Sequence, residues 1–223
     1  MFFFVLIIIA IVIVAAARSG STKTGRNNTT ECGRKPTFYE RITMPDEKVA
    51  GNEGEKEATR KIQKIMNSDD WLFTHLEIPF NGEYNEMDDV IVNEYGVFIV
   101  EVKDWNGEIK GRENDDVWIQ TKETYPGQEY ENAMSNPIGQ VKWQVHVLRS
   151  FLRENGVNAW VSGKVWMLQD NCSVRSNMVL GKKREVDDFI HTVGSPKGYM
   201  LDEETIERIK HLFHSQVAQN SDR

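Results

Sequence analysis

The sequence predicts an α/β domain, a mixed sheet flanked by helices, preceded by one apolar N-terminal helix. Three observations carry this expectation. Residues 1–17 contain no charged side chain. From residue 51 on, helical and strand periodicities alternate, as they do where helices cover a sheet. Val97-Phe98-Ile99-Val100 is apolar at every position, the mark of a strand buried on both faces. The chain has 223 residues, 39% hydrophobic and 27% charged, enough for one globular domain plus extensions. A net charge of −7 argues against avid non-specific binding of nucleic acid through global charge, and leaves local contacts to phosphate open. Cys32 and Cys172 are the only cysteines, with no CxxC pair and no Cys/His cluster. That argues against a disulfide framework or structural zinc and suits a reducing compartment.

Residues 1–17 would make a helix of roughly 26 Å, at the short end of what spans a hydrocarbon core of about 30 Å. No Lys or Arg precedes the apolar run, whereas Arg18, Lys23, Arg26, Arg34 and Lys35 follow it against one acid, Glu31. A cleaved signal peptide wants its positive charge in front. The run therefore reads as a transmembrane anchor, although Ala15-Ala16-Ala17 could serve as a cleavage box. The positive-inside rule leaves the N-terminus outside and the rest of the chain in the cytoplasm. Residues 18–50 are polar and basic without an apolar period, and read as a linker. Within them Asn28-Thr29-Thr30 matches a glycosylation sequon, which has no use in the cytoplasm.

A helix is expected from Gly51, with Ala58, Ile62 and Ile65 at helical spacing. Glu55 extends that row backwards; taken alone, it reads as an acid favoured in a first helical turn. Trp71–Ile78 reads as a strand stopped by Pro79 and an Asn81-Gly82 turn. His75 has no second His or Cys nearby and reads as structural or exposed. Two apolar arms then flank Asn93-Glu94-Tyr95-Gly96, a hairpin. Beyond it, Asp104-Trp105-Asn106-Gly107 turns the chain. Short strands follow at 108–110 and 117–120, and residues 122–135, with Pro126-Gly127 inside, read as a polar loop over a cleft. Asn136-Pro137 opens a helix, Asn as N-cap and Pro at its first position. That helix runs to about Asn155-Gly156 on a stripe of Ile138, Val141, Val145, Leu148 and Leu152, with Gln140 beside it. Strands are expected at 159–168 and 177–180, and a short helix or strand at 187–193. Asp202 caps a last helix with Ile206, Ile209, Phe213 and Val217 on one side. Gly181-Lys182-Lys183-Arg184 reads as a solvated turn rather than a phosphate site.

The hairpin carries the chemistry. Centred between Glu94 and Tyr95, it puts Asp88 directly across from Glu101 and Glu86 across from Lys103. Alternation places all four on one face. On that face Val97 and Ile99 give way to Glu101 and Lys103, so the strand leaves a core and enters a cleft. Carboxylates directly opposite each other have Cβ atoms about 4.5–5.5 Å apart and repel. A hard divalent ion between them relieves this, since carboxylate oxygens are what Mg²⁺ takes. As an isolated triplet, Glu101-Val102-Lys103 reads as a charged strand end; with Asp88 opposite, it reads as a site. A register slip of one residue would put Asp89 in the place of Asp88.

Gly54-Glu55 in a first helix, Glu86-Met87-Asp88 opening a hairpin and Gly96 to Lys103 closing it are followed by Trp105, Gly107 and Asn136-Pro137-Ile138 with Gln140. In this order and spacing the set resembles the nuclease-related domain (NERD) family, grouped with the PD-(D/E)XK restriction-endonuclease-like nucleases. The resemblance covers roughly Gly51 to Val165. It implies a restriction-endonuclease-like domain over 51–168, with 169–223 as a C-terminal extension completing it. It also implies hydrolysis of nucleic-acid phosphodiesters, DNA before RNA, with Mg²⁺ or Mn²⁺. By this resemblance Asp88 and Glu101 hold the metal. Lys103 orients or activates the attacking water, or neutralises the scissile phosphate. Glu55 completes the site from the first helix and Gln140 supports it from the second. One departure is Asp89, where the family often has His. The alternative is a catalytically silent nuclease-fold module that binds nucleic acid or a protein partner at the membrane.

Overall fold

Val, Ile and Phe fill residues 90–100, and the strands they form are the centre of the fold. The computed structural model describes residues 42–43, 53–124 and 127–221. The expected anchor at 1–17 and nearly all of the linker lie outside the described residues. Among the described residues no helix is long and apolar enough to cross a membrane.

A six-stranded mixed sheet runs in the order β1 (Ile42–Thr43), β2 (Trp71–Phe80), β3 (Glu83–Asn93), β4 (Gly96–Lys103), β8 (Val161–Met167), β9 (Val179–Leu180). β2, β3 and β4 are antiparallel neighbours, and β8 and β9 continue parallel to β4. Every residue of β4 except Lys103 is buried, as the all-apolar run predicts. On one face Val90, Val92, Val97 and Ile99 pack with Val147, Leu148 and Phe151 of α2 (Pro137–Glu154) and with Ile209 and Phe213 of α4 (Glu203–Ser221). On the other, Ile91, Phe98 and Val100 pack with Ala58 and Ile62 of α1 (Glu53–Gln63) and with Val186 of α3 (Lys183–Asp188). A π-helical turn, Phe189–Val193, follows α3.

The caps behave as their chemistry requires. Asn136 Oδ1 accepts from the Ile138 N–H at 2.9 Å, and Asp202 Oδ1 accepts from the Thr205 N–H at 2.7 Å. The basic run at 181–184 leads into α3; its first two N–H groups, of Gly181 and Lys182, donate to the Glu185 carboxylate.

Two expectations are corrected. Pro79 does not stop its strand: Pro79 pairs with Tyr84 and Phe80 with Glu83 before the chain turns at Asn81-Gly82. The outer neighbour β1 reaches only Leu72 and Phe73, so Pro79 lies where its missing N–H leaves no described ladder short of a donor. The described residues of 122–135 are mostly strand, not loop. Residues 122–124 belong to β6 (Val117–Thr124) and 128–135 to β7 (Gln128–Ser135), which with β5 (Glu108–Lys110) form a three-stranded antiparallel sheet. β7 is exposed along most of its length, so no apolar alternation marks it and only backbone pairing with β6 defines it.

Gly163 sets how closely α2 lies on the sheet. A Cβ there would meet Val141 Cγ1 at 2.6 Å and Val145 Cγ2 at 2.8 Å, and branched side chains on a packed helix cannot swing away. Gly163→Ala is expected to lose about 1–3 kcal/mol of stability, read from its urea midpoint.

At the end of the sheet where β2 starts, His191 bridges two acids: Nε2 lies 2.8 Å from Asp70 Oδ2 and Nδ1 2.6 Å from Asp187 Oδ1. Burial opposes the imidazolium, but the two carboxylates outweigh it and hold the His191 pKa above 6.5. A raised folded pKa gives stability that is complete below the unfolded value near 6.5 and is lost as pH rises through the folded one. The stability lost in His191→Gln is therefore expected to be largest at about pH 5–6 and to shrink as pH rises past 7, measured as urea midpoints of both proteins across pH.

Candidate active site

The hairpin register pairs Asn93 with Gly96, Val92 with Val97, Ile91 with Phe98, Val90 with Ile99 and Asp89 with Val100. Asn93 Oδ1 accepts from the Tyr95 N–H at 2.9 Å inside the turn. The ladder ends at the Asp89–Val100 pair, and Asp88, the next residue, lies close enough to Glu101 for that carboxylate to raise its pKa. Asp88 Oδ2 accepts from the Val102 N–H at 2.8 Å. Asp89 points to the other face, where its Oδ1 accepts from the Thr59 hydroxyl of α1 at 2.9 Å. Burial pushes Asp89 up to about 8, so it carries a proton near neutral pH. Between the two aspartates, Asp88 is the one on the Glu101 side.

Beyond Asp89 the strands part. β3 stays with β2 down to Phe80 and Glu83, while β4 stays with β8 down to Lys103 and Met167. The expected pairing of Glu86 with Lys103 is therefore absent. Glu86 Oε1 lies 2.8 Å from His75 Nδ1 instead, and Lys103 Nζ donates to Glu101 Oε1 at 2.5 Å. The divergence opens the sheet beside the acid pair. Gln144 of α2 fills the opening: its Nε2 donates to Glu101 Oε2 at 2.7 Å and to the Glu86 main-chain carbonyl at 3.0 Å. Glu101 is 1% exposed and Gln144 3%. Both Glu101 oxygens are thus held, one by a cation and one by an amide.

Asp88 pays for this position in affinity for protons. Burial, then the charge of Glu101, raises its pKa to about 7, against the Val102 N–H and Lys103, which favour the carboxylate. Glu55, half-buried in the first turn of α1, adds negative potential at Asp88, Asp89 and His75. α1 reaches this end of the sheet because residue 54 is glycine: a Cβ there would sit 2.3 Å from Asp104 Cβ. Opposite Asp88, the β2–β3 ladder skips a pair between Thr74–Asp89 and Leu76–Met87. The skipped residue, His75, has φ 49°, a left-handed conformation that is uncommon outside glycine but that His takes more readily than most. The Glu86 bond, then the charges of Glu86, Glu55 and Asp88, raise the His75 pKa against partial burial.

Of the predicted residues, Asp88, Glu101 and Lys103 lie together and Glu55 is within electrostatic reach. Gln140 is exposed; the glutamine on Glu101 is Gln144, one turn later. Gln144 follows Val141 by three and precedes Leu148 by four, so it is a polar residue standing in the buried stripe.

Residues after 168 brace the loop that follows Lys103. Gln169 Nε2 donates to Asp104 Oδ1, and Asn171 Nδ2 donates to the carbonyls of Trp105 and Gly107. Among the described residues no three His, Cys, Asp or Glu side chains gather as a metal cage. The Asp88–Glu101 pair still fits a divalent ion. Mg²⁺ binds through one or two carboxylates and keeps several waters, and a buried carboxyl whose proton affinity is raised by a neighbouring carboxylate, as that of Asp88 is by Glu101, is what a cation would neutralise.

The model of the nuclease-related domain family matches residues 50–168, more than half of the chain. This chain belongs to that family. No curated protein and no solved structure matches it.

Gln144→Leu would leave a buried Glu101 oxygen without its donor and is expected to cost about 1–3 kcal/mol. Gln140→Ala, at an exposed position, is expected to stay within about 0.5 kcal/mol of the parent. Thermal and urea unfolding of the two variants compare these directly.

Proposed function

We propose that this protein is a metal-dependent nuclease that hydrolyses nucleic-acid phosphodiester bonds, with Mg²⁺ as cofactor, Mn²⁺ able to replace it, and DNA as the first substrate to test. The observation that carries this reading is the Asp88–Glu101 pair, with Lys103 on Glu101, set where β3 and β4 diverge. Membership of the nuclease-related domain family supports it, as does a mixed sheet flanked by helices, the arrangement of the restriction-endonuclease-like fold. Asp88 and Glu101 would hold the ion. When bound, it would supply charge neutralisation at the phosphate and a water acidified toward hydroxide.

The rest falls to the chain. Gln144 and Lys103 fix the two oxygens of Glu101, so its rotamer is set before substrate arrives. Lys103 also brings a cation to the mouth of the opening, where it can meet a non-bridging phosphate oxygen or orient a water. Glu55 adds negative charge from the first helix, which strengthens the site's demand for cations. Residues 1–17 support a tether to a membrane, with the domain on its cytoplasmic side. A second reading, a silent module that binds nucleic acid or a protein there, is favoured by the net charge of −7, which slows encounter with a polyanion.

The test uses the full-length chain, in mild detergent, with single- and double-stranded DNA and RNA, in Mg²⁺, in Mn²⁺ and in chelator. Cleavage is expected with metal and not with chelator, and Glu101→Gln is expected to lower it about 100-fold or more. Mg²⁺ binding by calorimetry is expected to disappear in Asp88→Asn. No metal-dependent cleavage of any substrate, or cleavage unchanged in Glu101→Gln, would falsify the enzyme reading.

A further inference from the structure

The long hairpin β2–β3 carries Phe80 and Tyr84 at its far end, past Asp88, and α2 runs beside it. Between them lies an aromatic group that contributes nothing to the acid pair. The Trp143 and His146 rings lie 5.5 Å apart, tilted by 33°, and both meet Phe80 edge-on at 5.5 and 5.6 Å. Trp143 Nε1 donates to Asn85 Oδ1 at 2.8 Å. Trp143 is nevertheless 49% exposed and Tyr84 51%. A tryptophan kept for packing alone is normally well buried. This one has its N–H satisfied and its ring held by Phe80, while half of its surface faces out. It is rigid and open, which lowers the ordering cost of binding something flat. It also adjoins the candidate site: the next residue, Gln144, is the one that holds Glu101.

The charge around it has a direction. The exposed residues of α2 include Lys142, Trp143, His146, Arg149 and Arg153, and its only acid is Glu154 at the end. This is a basic strip on a chain whose net charge is −7. Lys142 lies 3.7 Å from Glu113, and Arg149 donates to the Val161 carbonyl, yet both remain exposed. The hairpin side is acidic, with Glu83 and Glu86, so a polyanion would follow the helix and not the hairpin. Aromatic faces beside a basic track are how proteins hold single-stranded nucleic acid, bases on the rings and phosphates on the cations. A duplex offers no free base face away from its ends.

We propose that Trp143, backed by Phe80 and His146, is a stacking platform for an unpaired base, and that the exposed face of α2 guides a single-stranded nucleic acid toward Asp88 and Glu101. This rests on the nuclease reading for its orientation toward the acid pair, but binding can be measured without cleavage. The probes are a fluorescent oligothymidylate, an abasic tract of equal length and a duplex. Each is titrated by anisotropy against the full-length chain in chelator and again in Ca²⁺. The parent is expected to prefer oligothymidylate to both other probes. Trp143→Ala is expected to weaken oligothymidylate binding roughly 5- to 150-fold and to leave abasic binding unchanged, while Trp143→Phe keeps most of the preference. Urea midpoints of both variants show that the fold is retained.

Oligothymidylate bound equally by the parent and Trp143→Ala, or not bound by the parent under either condition, overturns the platform. If the parent cleaves nucleic acid in that case, the nuclease reading stands without it. Binding that depends on Trp143 in a protein that cleaves nothing keeps the platform and rejects the nuclease.

Discussion

One amide organises the functional end of this molecule. Where β3 leaves β4, a main-chain carbonyl loses its ladder partner and a buried carboxylate loses the cover of a neighbouring strand. Gln144 answers both with the same Nε2, bonding the Glu86 carbonyl and Glu101. An apolar residue at this position in the α2 stripe would pack well and leave both oxygens unsatisfied. The split in the sheet, the seating of α2 and the rotamer of Glu101 therefore form one constraint. Gly163 supports it from below by letting α2 approach β8 closely enough for Gln144 to reach.

The acids on this end of the sheet are costly to fold. Asp88 and Asp89 both bind protons more tightly than they would in water, mainly through burial, and that cost falls on the folded state. The two aromatic-aliphatic layers around β3 and β4 offset it, along with the ion pairs and caps elsewhere. His191, clamped between Asp70 and Asp187 at the opposite end, works in the other sense: there the charged form is favoured by the fold. The domain thus has one end where charge is electrostatically relaxed and one where like charges are held together. Such local opposition to stability is typical of sites that bind a counter-charge.

Much of this was legible in the sequence because it rests on short-range rules. The tight turn at Asn93–Gly96 dictates the register, and with it the facing of Asp88 and Glu101. Asn136-Pro137 marks the start of α2, and the apolar stripe gives its length. What the sequence leaves unread depends on partners remote along the chain. β7 has no apolar face, so only its pairing with β6 reveals it. Pro79 reads locally as a stop, because the edge position that tolerates it is a property of the sheet. Gln140 enters through the family resemblance alone and lies exposed, whereas the divergence of β3 from β4, which calls for the buried amide of Gln144, follows from β4 running with β8. The expected pairing of Glu86 with Lys103 follows from the turn alone and ends where tertiary structure ends the ladder.

The bonds from Gln169 and Asn171 to the loop after Lys103 bear on where this domain ends. The family match stops at residue 168, yet the carbonyls of Trp105 and Gly107 are held from beyond it. Farther on, Phe213 meets Phe73 edge-on at 5.1 Å in the main core. The stretch that the family model covers is therefore shorter than the stretch that packs into one core. A chain cut at residue 168 would keep every acid of the candidate site and lose both the braces on the loop after Lys103 and the ring packed on Phe73, so the tail belongs to the scaffold of the site.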